Sequence, residues 1–258
     1  MRIGFYTFSF LPIIGGAELL LHSLAESLTE RGHLVTVWAP RVRGRDNRVA
    51  ARYRLRRYAR PSSERFGARQ TLAQLFLQTW GRRPNILHCH GAYPAGYVGA
   101  AYKRVTGTPL LIRPHGADIL PGEWIDRDPR LAARMRRVLL AADAVVAQGA
   151  SLAERLRALG VPAERLRVIH NGVRLPEGEP SPILAEPSVV AMGSLAPKKG
   201  FDVLLRAFCL VRLHVPAARL AIAGEGPERA RLLALAASLG IAASIAFPGL
   251  VTGAAKAA

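Results

Sequence analysis

A pair of glycines near the start of the chain has the residue type and position of a phosphate-binding loop. Gly15 and Gly16 stand directly before a helical hydrophobic pattern. Glycine lets backbone N–H groups approach a ligand closely, and the N-terminus of a helix attracts phosphate. The pair therefore indicates an anion-binding loop or an ordinary tight turn. Its spacing differs from the dinucleotide fingerprint G-x-G-x-x-G.

Histidines follow two strand-like runs. His88 and His90 end one of them, and their spacing puts both imidazoles on one side of the strand, where they could bind a metal or form a polar strand end. Because no third ligand stands nearby, we predict no metal site. His115 follows another strand-like run, and because a histidine ordinarily titrates near neutral pH, it could exchange a proton with a substrate hydroxyl group. A purely structural role for His115 is the alternative.

A third group of candidate residues lies in the last quarter of the chain. Lys198 and Lys199, followed by Gly200, end one strand-like run and open a helix. A lysine beside glycine at a helix N-terminus suits a diphosphate, and solvated lysines are the alternative. Gly224 and Gly226 repeat the order of strand, glycine and helix, and there we expect a simple turn.

Alternating strand-like and helix-like segments must position these residues. Such an order demands parallel crossovers and predicts a doubly wound, Rossmann-like α/β domain over residues 1–175. Ser151 and Glu154 form a capping box at the start of its last helix. The predicted strands are 2–7, 34–39, 53–58, 85–89, 110–113, 144–147 and 166–169, and the predicted helices are 17–31, 69–80, 96–105, 129–141 and one that begins near 151.

A second, smaller domain is expected after a linker. Residues 176–187 are rich in Pro and Glu, which disfavour both a helix and a central strand. Residues 188–258 then read as β-α-β-α-β, one half of a doubly wound domain, so the second Rossmann-like domain is expected to be incomplete.

Charge and composition narrow the class of partner. The 258 residues include 36 Lys and Arg against 18 Asp and Glu, a formal net charge of +18 that attracts phosphate-bearing partners. Nine arginines lie within residues 41–60. This basic run is either a surface for anionic lipid or a phosphate-rich acceptor, or a solvated loop and edge strand. We expect no nucleic-acid partner, because aromatic residues are sparse in the run. Two cysteines and the absence of a long apolar segment favour a cytoplasmic protein.

Six motifs in order resemble those of glycosyltransferase family 4, retaining enzymes with the two-domain GT-B architecture. The likeness runs from Met1 to about Thr252. The motifs are Gly15-Gly16-Ala17-Glu18, His90 with Tyr93-Pro94 and Gly96, His115-Gly116-Ala117-Asp118, residues 169–173, residues 193–202 and residues 223–227.

The resemblance implies a role for each matching residue. Gly15 and Gly16 would approach the donor phosphates or the acceptor, His115 would act beside the transferring sugar, and Lys199 would bind the donor diphosphate. It implies a nucleotide-sugar as donor substrate, a cell-surface polysaccharide or lipid-linked glycan as acceptor, and no metal cofactor. Some family members dock on membranes, so the inner face of the membrane is an expected location besides the cytoplasm.

Two departures from the family pattern bear on activity. Ser194, at a donor-binding position, stands where the family usually has an arginine. The family's two glutamates spaced eight apart would fall beyond Ala258, so we expect a C-terminally truncated enzyme whose transfer is weakened or lost. The alternatives are a noncatalytic GT-B remnant or interaction protein and, third, a nucleotide-sugar epimerase of the GT-B fold.

Overall fold

The computed structural model describes residues 1–44, 46–59, 64–173 and 186–251. The chain divides into two compact units, Met1–Val173 and Arg174–Ala258. Each unit has its own hydrophobic core. Of the linker predicted over 176–187, only Glu186 and Pro187 belong to the described residues.

The first unit is a seven-stranded parallel sheet with helical crossovers, in the order β3-β2-β1-β4-β5-β6-β7. Its strands are β1 Arg2–Thr7, β2 Leu34–Pro40, β3 Arg54–Tyr58, β4 Ile86–His90, β5 Leu110–Arg113, β6 Ala144–Ala147 and β7 Leu166–Val168. Its helices are α1 Gly16–Glu30, α2 Glu64–Thr79, α3 Ala95–Thr106, α4 Pro129–Ala141 and α5 Ala150–Ala158. The predicted doubly wound, Rossmann-like sheet is confirmed.

Strand β1 is central because its side chains are buried on both faces of the sheet. Phe5 joins the core on one face, where Leu21 and Ala25 of α1 pack. Its neighbour Tyr6 joins the core on the other face, with Tyr102 of α3. Burying one large apolar side chain stabilises a fold by about 1.5 to 3 kcal/mol, so a strand that does so on both faces is fixed at the middle of the sheet.

The second unit contains β8 Ser188–Met192, α6 Phe201–His214, β9 Arg219–Ala223, α7 Arg229–Ser238 and β10 Ile245–Gly249. Its three parallel strands lie in the order β10-β9-β8. Leu205 and Phe208 of α6 pack on Leu220 and Ile222 of β9 to form the core. The β-α-β-α-β reading of this unit is confirmed.

Helix starts are where the structure differs from the sequence-based prediction. Helix α2 begins at Glu64, five residues before the predicted start. The predicted capping box at the start of α5 is wrong, because the N-cap is Gly149 and no side chain caps the helix. Ser151 already lies inside the first turn, one residue after the helix begins, so its hydroxyl is not at the capping position.

Candidate functional site

Residues of three neighbouring strands meet at the carboxyl edge of the seven-stranded sheet. In the parallel register Thr7 of β1 pairs with His90 of β4, and His90 pairs with Arg113 of β5. Open parallel sheets bind ligands at this edge. A cavity of about 280 Å³ opens there, the carboxyl-edge cavity. It is lined by Thr7, Phe8, Ser9, Ala17, Glu18, His90, Gly91, Tyr93, Pro94, Ala95, His115, Ala117, Asp118 and Trp124.

Three imidazoles cluster at this edge. The rings of His90 and His115 lie 4.0 Å apart between centroids, and those of His88 and His90 lie 5.8 Å apart. His88 and His90 are buried. The sequence placed His88 and His90 on one side of a strand, and the structure adds His115 from the loop after the adjacent strand.

All three imidazoles are held neutral. Burial lowers the pKa of His88 to about 3, helped by the positive charge of Arg113 and by His115. Burial also lowers the pKa of His90 well below the ordinary histidine value. The pKa of His115 falls as well, because burial and the charge of Arg113 outweigh the opposing carboxylates of Asp118 and Glu18. Neutral imidazoles can both donate and accept hydrogen bonds near pH 7.

Three ring nitrogens of the cluster are buried without a partner among the described residues: Nε2 of His88, Nδ1 of His90 and Nε2 of His115. Nε2 of His90 donates to the carbonyl oxygen of Ala17 at 2.9 Å, so Nδ1 of the neutral ring is an acceptor. This Nδ1 and Nε2 of His115 are buried and have no partner in the described part of the chain. Buried polar atoms normally have partners, and unsatisfied ones beside a cavity are typical of a ligand site.

Asp118 joins the loop after β4, which follows His90, to the loop after β5, which carries His115. One carboxylate oxygen accepts from the backbone N–H of His115 at 2.9 Å, and the other from the N–H of Ala92 at 2.5 Å. Gly91, beside it, has φ +120°, a conformation that favours glycine. Asp118 therefore fixes the loop after β5 against the loop after β4.

Arg113 connects the strand next to the histidine cluster to the segment that follows β7. Its side chain is buried, and Nη2 donates to Oδ1 of Asn171 at 2.5 Å and to the carbonyl oxygen of Ile169 at 3.2 Å. Burial lowers the pKa of the guanidinium. The arginine thus ties β5 to the segment after β7 and keeps a positive charge near His88 and His115.

The predicted glycine loop lies beside the carboxyl-edge cavity. Gly15 is the N-cap of α1, and Gly16 is its first residue. Neither glycine lines the cavity, but Ala17 and Glu18 do. A Cβ at Gly15 would come within 2.4 Å of Oε2 of Glu18, whereas one at Gly16 would meet nothing within 4 Å. The Glu18 carboxylate therefore bends back to the helix N-terminus, where a negative charge is favourable.

In the second unit the structure exposes both predicted donor-binding residues. Lys199 ends a short 3-10 turn before Gly200, the N-cap of α6. Its ammonium group makes no hydrogen bond or ion pair with any described residue, and the Ser194 side chain is equally without one. An exposed, unpaired cation at a helix start is consistent with the predicted diphosphate contact.

Gly224 and Gly226, for which the sequence predicts a simple turn, lie where two loops of the second unit pack closely. Gly224 has φ +142°, and a Cβ there would come within 1.8 Å of the Gly193 carbonyl oxygen. The N–H of Gly193 donates to the Ala223 carbonyl and that of Leu195 to the Glu225 carbonyl, both at 2.9 Å. Only glycine allows this approach, so the motif forms the expected turn.

Sequence reasoning singled out His115 but gave no role to Glu18, Asp118 or Trp124. Asp118 and Glu18 do occur in the quoted motifs, yet only the strand order shows that they face one cavity. Within the described residues no set of three or more His, Cys, Asp or Glu side chains is arranged to bind a metal ion. The helices in the described ranges include none with the length and apolarity of a transmembrane helix.

Two family models match the chain. The model "Glycosyltransferase Family 4" matches residues 14–176, and "Glycosyl transferases group 1" matches residues 179–256. A GDP-mannose-dependent alpha-(1-6)-phosphatidylinositol monomannoside mannosyltransferase of Mycolicibacterium smegmatis is 27% identical over 255 residues, which cover 93% of this chain and 65% of that protein. The chain thus spans somewhat less than two thirds of that relative's length.

Solved structures show the same fold. HepE from Anabaena, in complex with UDP, superposes with a TM-score of 0.74 at 20% identity, over 99% of this chain and 70% of that one. The lipopolysaccharide outer core galactosyltransferase WaaB superposes with a TM-score of 0.69 at 15% identity, over 97% and 68%. Both likenesses bear on the fold, which is GT-B. The first family model accounts for more than half of the sequence and for every motif that lines the carboxyl-edge cavity, and the chain therefore belongs to glycosyltransferase family 4.

Proposed function

We propose that the protein transfers a sugar from a nucleotide-sugar donor to a cell-surface polysaccharide or lipid-linked acceptor, with retention of the anomeric configuration. The observation that carries this proposal is Nε2 of His115, buried, unpartnered and held on a neutral ring beside the carboxyl-edge cavity. Such a nitrogen can hydrogen-bond a sugar hydroxyl without changing its charge.

The acceptor class is supported by the relatives' names. The mycobacterial relative is a mannosyltransferase acting on a phosphatidylinositol monomannoside, and WaaB is a lipopolysaccharide galactosyltransferase. Both are named for glycolipid acceptors. We propose that the protein acts in the cytoplasm, at the inner face of a membrane that carries such an acceptor.

Lys199 has the central role in binding the donor in this proposal. Its free ammonium group and the N-terminus of α6 would stabilise the negative charge that develops on the leaving diphosphate. Because Ser194 replaces the arginine usual in the family, Lys199 carries more of this charge compensation. Gly15 and Gly16, at the N-terminus of α1, would approach the donor phosphates or the acceptor, and no metal is invoked.

His115 and its supports act on the sugar. Asp118 fixes the backbone at His115, and Arg113 favours the neutral form of the ring. A neutral ring can accept a proton from a hydroxyl or donate a hydrogen bond to a sugar oxygen. Holding it within reach of the reacting sugar contributes by positioning as well as by proton transfer.

The donor site is tested by nucleoside-diphosphate binding. We expect UDP or GDP to bind, and Lys199→Ala to weaken binding at least tenfold by calorimetry. Lys198→Ala is the matched control, since it removes an exposed neighbouring lysine. Equal affinity of the two variants would remove Lys199 from the donor site.

The role of His115 is tested by turnover. We expect His115→Ala to slow nucleoside-diphosphate release from a nucleotide-sugar at least a hundredfold, the scale of general acid–base catalysis, while the melting temperature changes little. The exposed His214→Ala is the control. NMR of the product's anomeric configuration tests retention. Full turnover by His115→Ala would leave this histidine with a structural role only.

A further inference from the structure

A second concave surface lies at the opposite, amino edge of the seven-stranded sheet. This amino-edge groove has a volume of about 570 Å³. It is lined by Arg2, Ile3, Thr29, His33, Leu34, Val35, Thr36, Trp38, Arg52, Tyr53, Arg54, Arg56, Gln78, Trp80, Arg82 and Pro84. Arg2 opens β1, whose far end reaches the carboxyl-edge cavity at Thr7, so the two sites lie roughly 16 Å apart along one strand.

The groove carries positive charge that no carboxylate of its lining compensates. Five of the described lining residues are arginines and none is acidic. Arg54, Arg56 and Arg82 make no side-chain hydrogen bond or ion pair with any described residue. Arg54 and Arg56 alternate along β3, opposite Thr36 and Trp38 of β2, and so point to the same face of the sheet.

Three other arginines of the basic run have partners, whereas the exposed Arg41 and Arg43 have no side-chain partner among the described residues and do not line the groove. Arg57 points inward and donates to the carbonyl oxygens of Leu11, Pro40 and Asn47. Arg48 pairs with Asp46 at 2.9 Å. Arg52, although it lines the groove, pairs with Glu30 at 2.6 Å.

Two unpaired arginines of the run, Arg54 and Arg56, therefore lie together on one face of the sheet. That face also gains Arg2 and Arg82 from other parts of the chain.

Aromatic side chains complete the groove. The indole of Trp80, just after α2, is 72% exposed, which leaves its face open for stacking. The indole of Trp38 is buried in the wall, and its Nε1 has no hydrogen-bond partner within the described residues. The lining of the groove thus includes an unsatisfied donor, Nε1 of Trp38, and an uncovered aromatic surface, the indole of Trp80.

We propose that the amino-edge groove binds a phosphate ester, with its phosphoryl group on Arg54, Arg56 and Arg82 and its organic part against Trp80. Each guanidinium group can donate two hydrogen bonds to phosphate oxygens. Several guanidinium groups together favour a phosphate dianion over a carboxylate, which carries a single negative charge. The indole prefers an apolar or aromatic group next to the phosphate. The ligand is a free phosphate ester or a phospholipid headgroup, and both present the same chemistry.

The test compares two pairs of arginine substitutions in the whole chain. Arg54→Gln with Arg56→Gln empties the groove of two charges. Arg104→Gln with Arg134→Gln removes the same charge from the surfaces of α3 and α4, where both arginines are exposed. Melting temperatures verify that both variants fold, and phenyl phosphate, measured by calorimetry at low salt, is the soluble probe. Vesicles of phosphatidylcholine with and without phosphatidic acid are the lipid probe.

We expect the groove variant to lose at least tenfold in affinity for one of the two probes and the control variant to keep it. Loss for phenyl phosphate identifies a soluble ester, and loss for phosphatidic acid vesicles alone identifies a headgroup. Trp80→Ala should weaken phenyl phosphate binding but not that of inorganic phosphate. Lys199→Gln should leave the groove's affinity unchanged, which separates this site from the proposed donor site. Equal loss in both arginine variants, or no binding of either probe to the wild-type protein, would overturn the proposal.

Discussion

Burial decides the protonation state of the histidines at the carboxyl edge. A charged imidazole in a buried position loses its hydration, so the neutral form is favoured at neutral pH. Arg113 adds to this effect, since a nearby positive charge opposes protonation of His88 and His115. The cluster is thus kept as a set of neutral hydrogen-bonding groups.

The same burial predicts a pH dependence of stability. In the unfolded chain histidines bind protons below about pH 6.5, whereas His88 in the folded chain does so only near its pKa of about 3. Unfolding therefore takes up protons as the pH falls, and the free energy of unfolding decreases. For His88 alone the loss between pH 7 and pH 5 is about 2 kcal/mol.

Urea unfolding at pH 7 and pH 5, followed by tryptophan fluorescence, measures this loss. We expect His88→Leu to reduce the difference between the two pH values, while the exposed His214→Gln leaves it unchanged. A loss of the same size in His88→Leu and in the wild-type protein would contradict the assignment of the effect to this histidine.

Asp118 provides a second prediction at the scale of residues. Asp118→Ala leaves the N–H groups of Ala92 and His115 without their acceptor, at a cost of about 1 to 3 kcal/mol for each buried donor. We expect Asp118→Asn, which keeps one acceptor oxygen, to lose less. Asp126→Ala is the control, because Asp126 also accepts two hydrogen bonds but at a more exposed place. Similar losses in unfolding free energy for Asp118→Ala and Asp126→Ala would show that the hydrogen bonds of Asp118 stabilise the fold no more than the exposed ones of Asp126.

Individual residues of the site were predictable from the sequence only in part. His115 was identified because it follows a strand and because a histidine ordinarily titrates near neutral pH. Asp118, three residues later, was not, because its role depends on Ala92, 26 positions away in the sequence. The neighbouring order of β1, β4 and β5 brings these loops together, and local patterns do not specify that order.

At the scale of elements, close packing rather than helix propensity explains the glycines of α3. A Cβ at Gly99 would come within 2.3 Å of Sγ of Cys89 and 2.9 Å of Cδ1 of Leu110. Helix α3 therefore lies close against β4 and β5, and this closeness sets the position of the loop that carries His90 and Tyr93. Helix α3 thus positions residues of the carboxyl-edge cavity, although only its first residue, Ala95, is part of the lining.

This packing predicts different outcomes for two glycine substitutions. Gly99→Ala should destabilise the protein by about 1 to 3 kcal/mol, because overpacking outweighs the gain of about 1 kcal/mol from better helix propensity. Gly16→Ala, where a Cβ meets nothing within 4 Å, should leave the unfolding free energy unchanged. Chemical denaturation of the two variants measures both effects. A stabilised Gly99→Ala variant would mean that α3 is not held so close to the sheet.

The elements themselves were largely predictable, and their ends less so. Strands buried on both faces, such as β1, form continuous apolar runs that the sequence displays directly. The start of α5 was missed because the backbone of Gly149, and not the hydroxyl of Ser151, begins the helix. Several backbone conformations can begin a helix, so a capping pattern two residues late is easily mistaken for the start.

At the scale of the whole molecule, the central strand β1 of the first unit and the edge strand β8 of the second unit differ in how completely they are covered. In the first unit β1 pairs on both sides, with β2 and β4. In the second unit, within the described residues, β8 pairs with β9 only. Val190 of β8 is 68% exposed, and Met192 is 46% exposed. An edge strand with exposed apolar side chains contributes little burial to hold it in place.

We therefore expect β8 to open more readily than β1. Amide hydrogens of β8 should exchange at least a hundredfold faster than those of β1, because local opening costs less free energy where few apolar contacts are broken. Exchange followed by mass spectrometry on peptides covering residues 188–192 and 2–7 measures the ratio. A Val190→Thr variant, which removes apolar surface that is already exposed, should leave the rate in β8 nearly unchanged, whereas Leu220→Ala in the buried core of the second unit should raise it. Equal protection of β8 and β1 would show that the free edge of β8 is covered in solution.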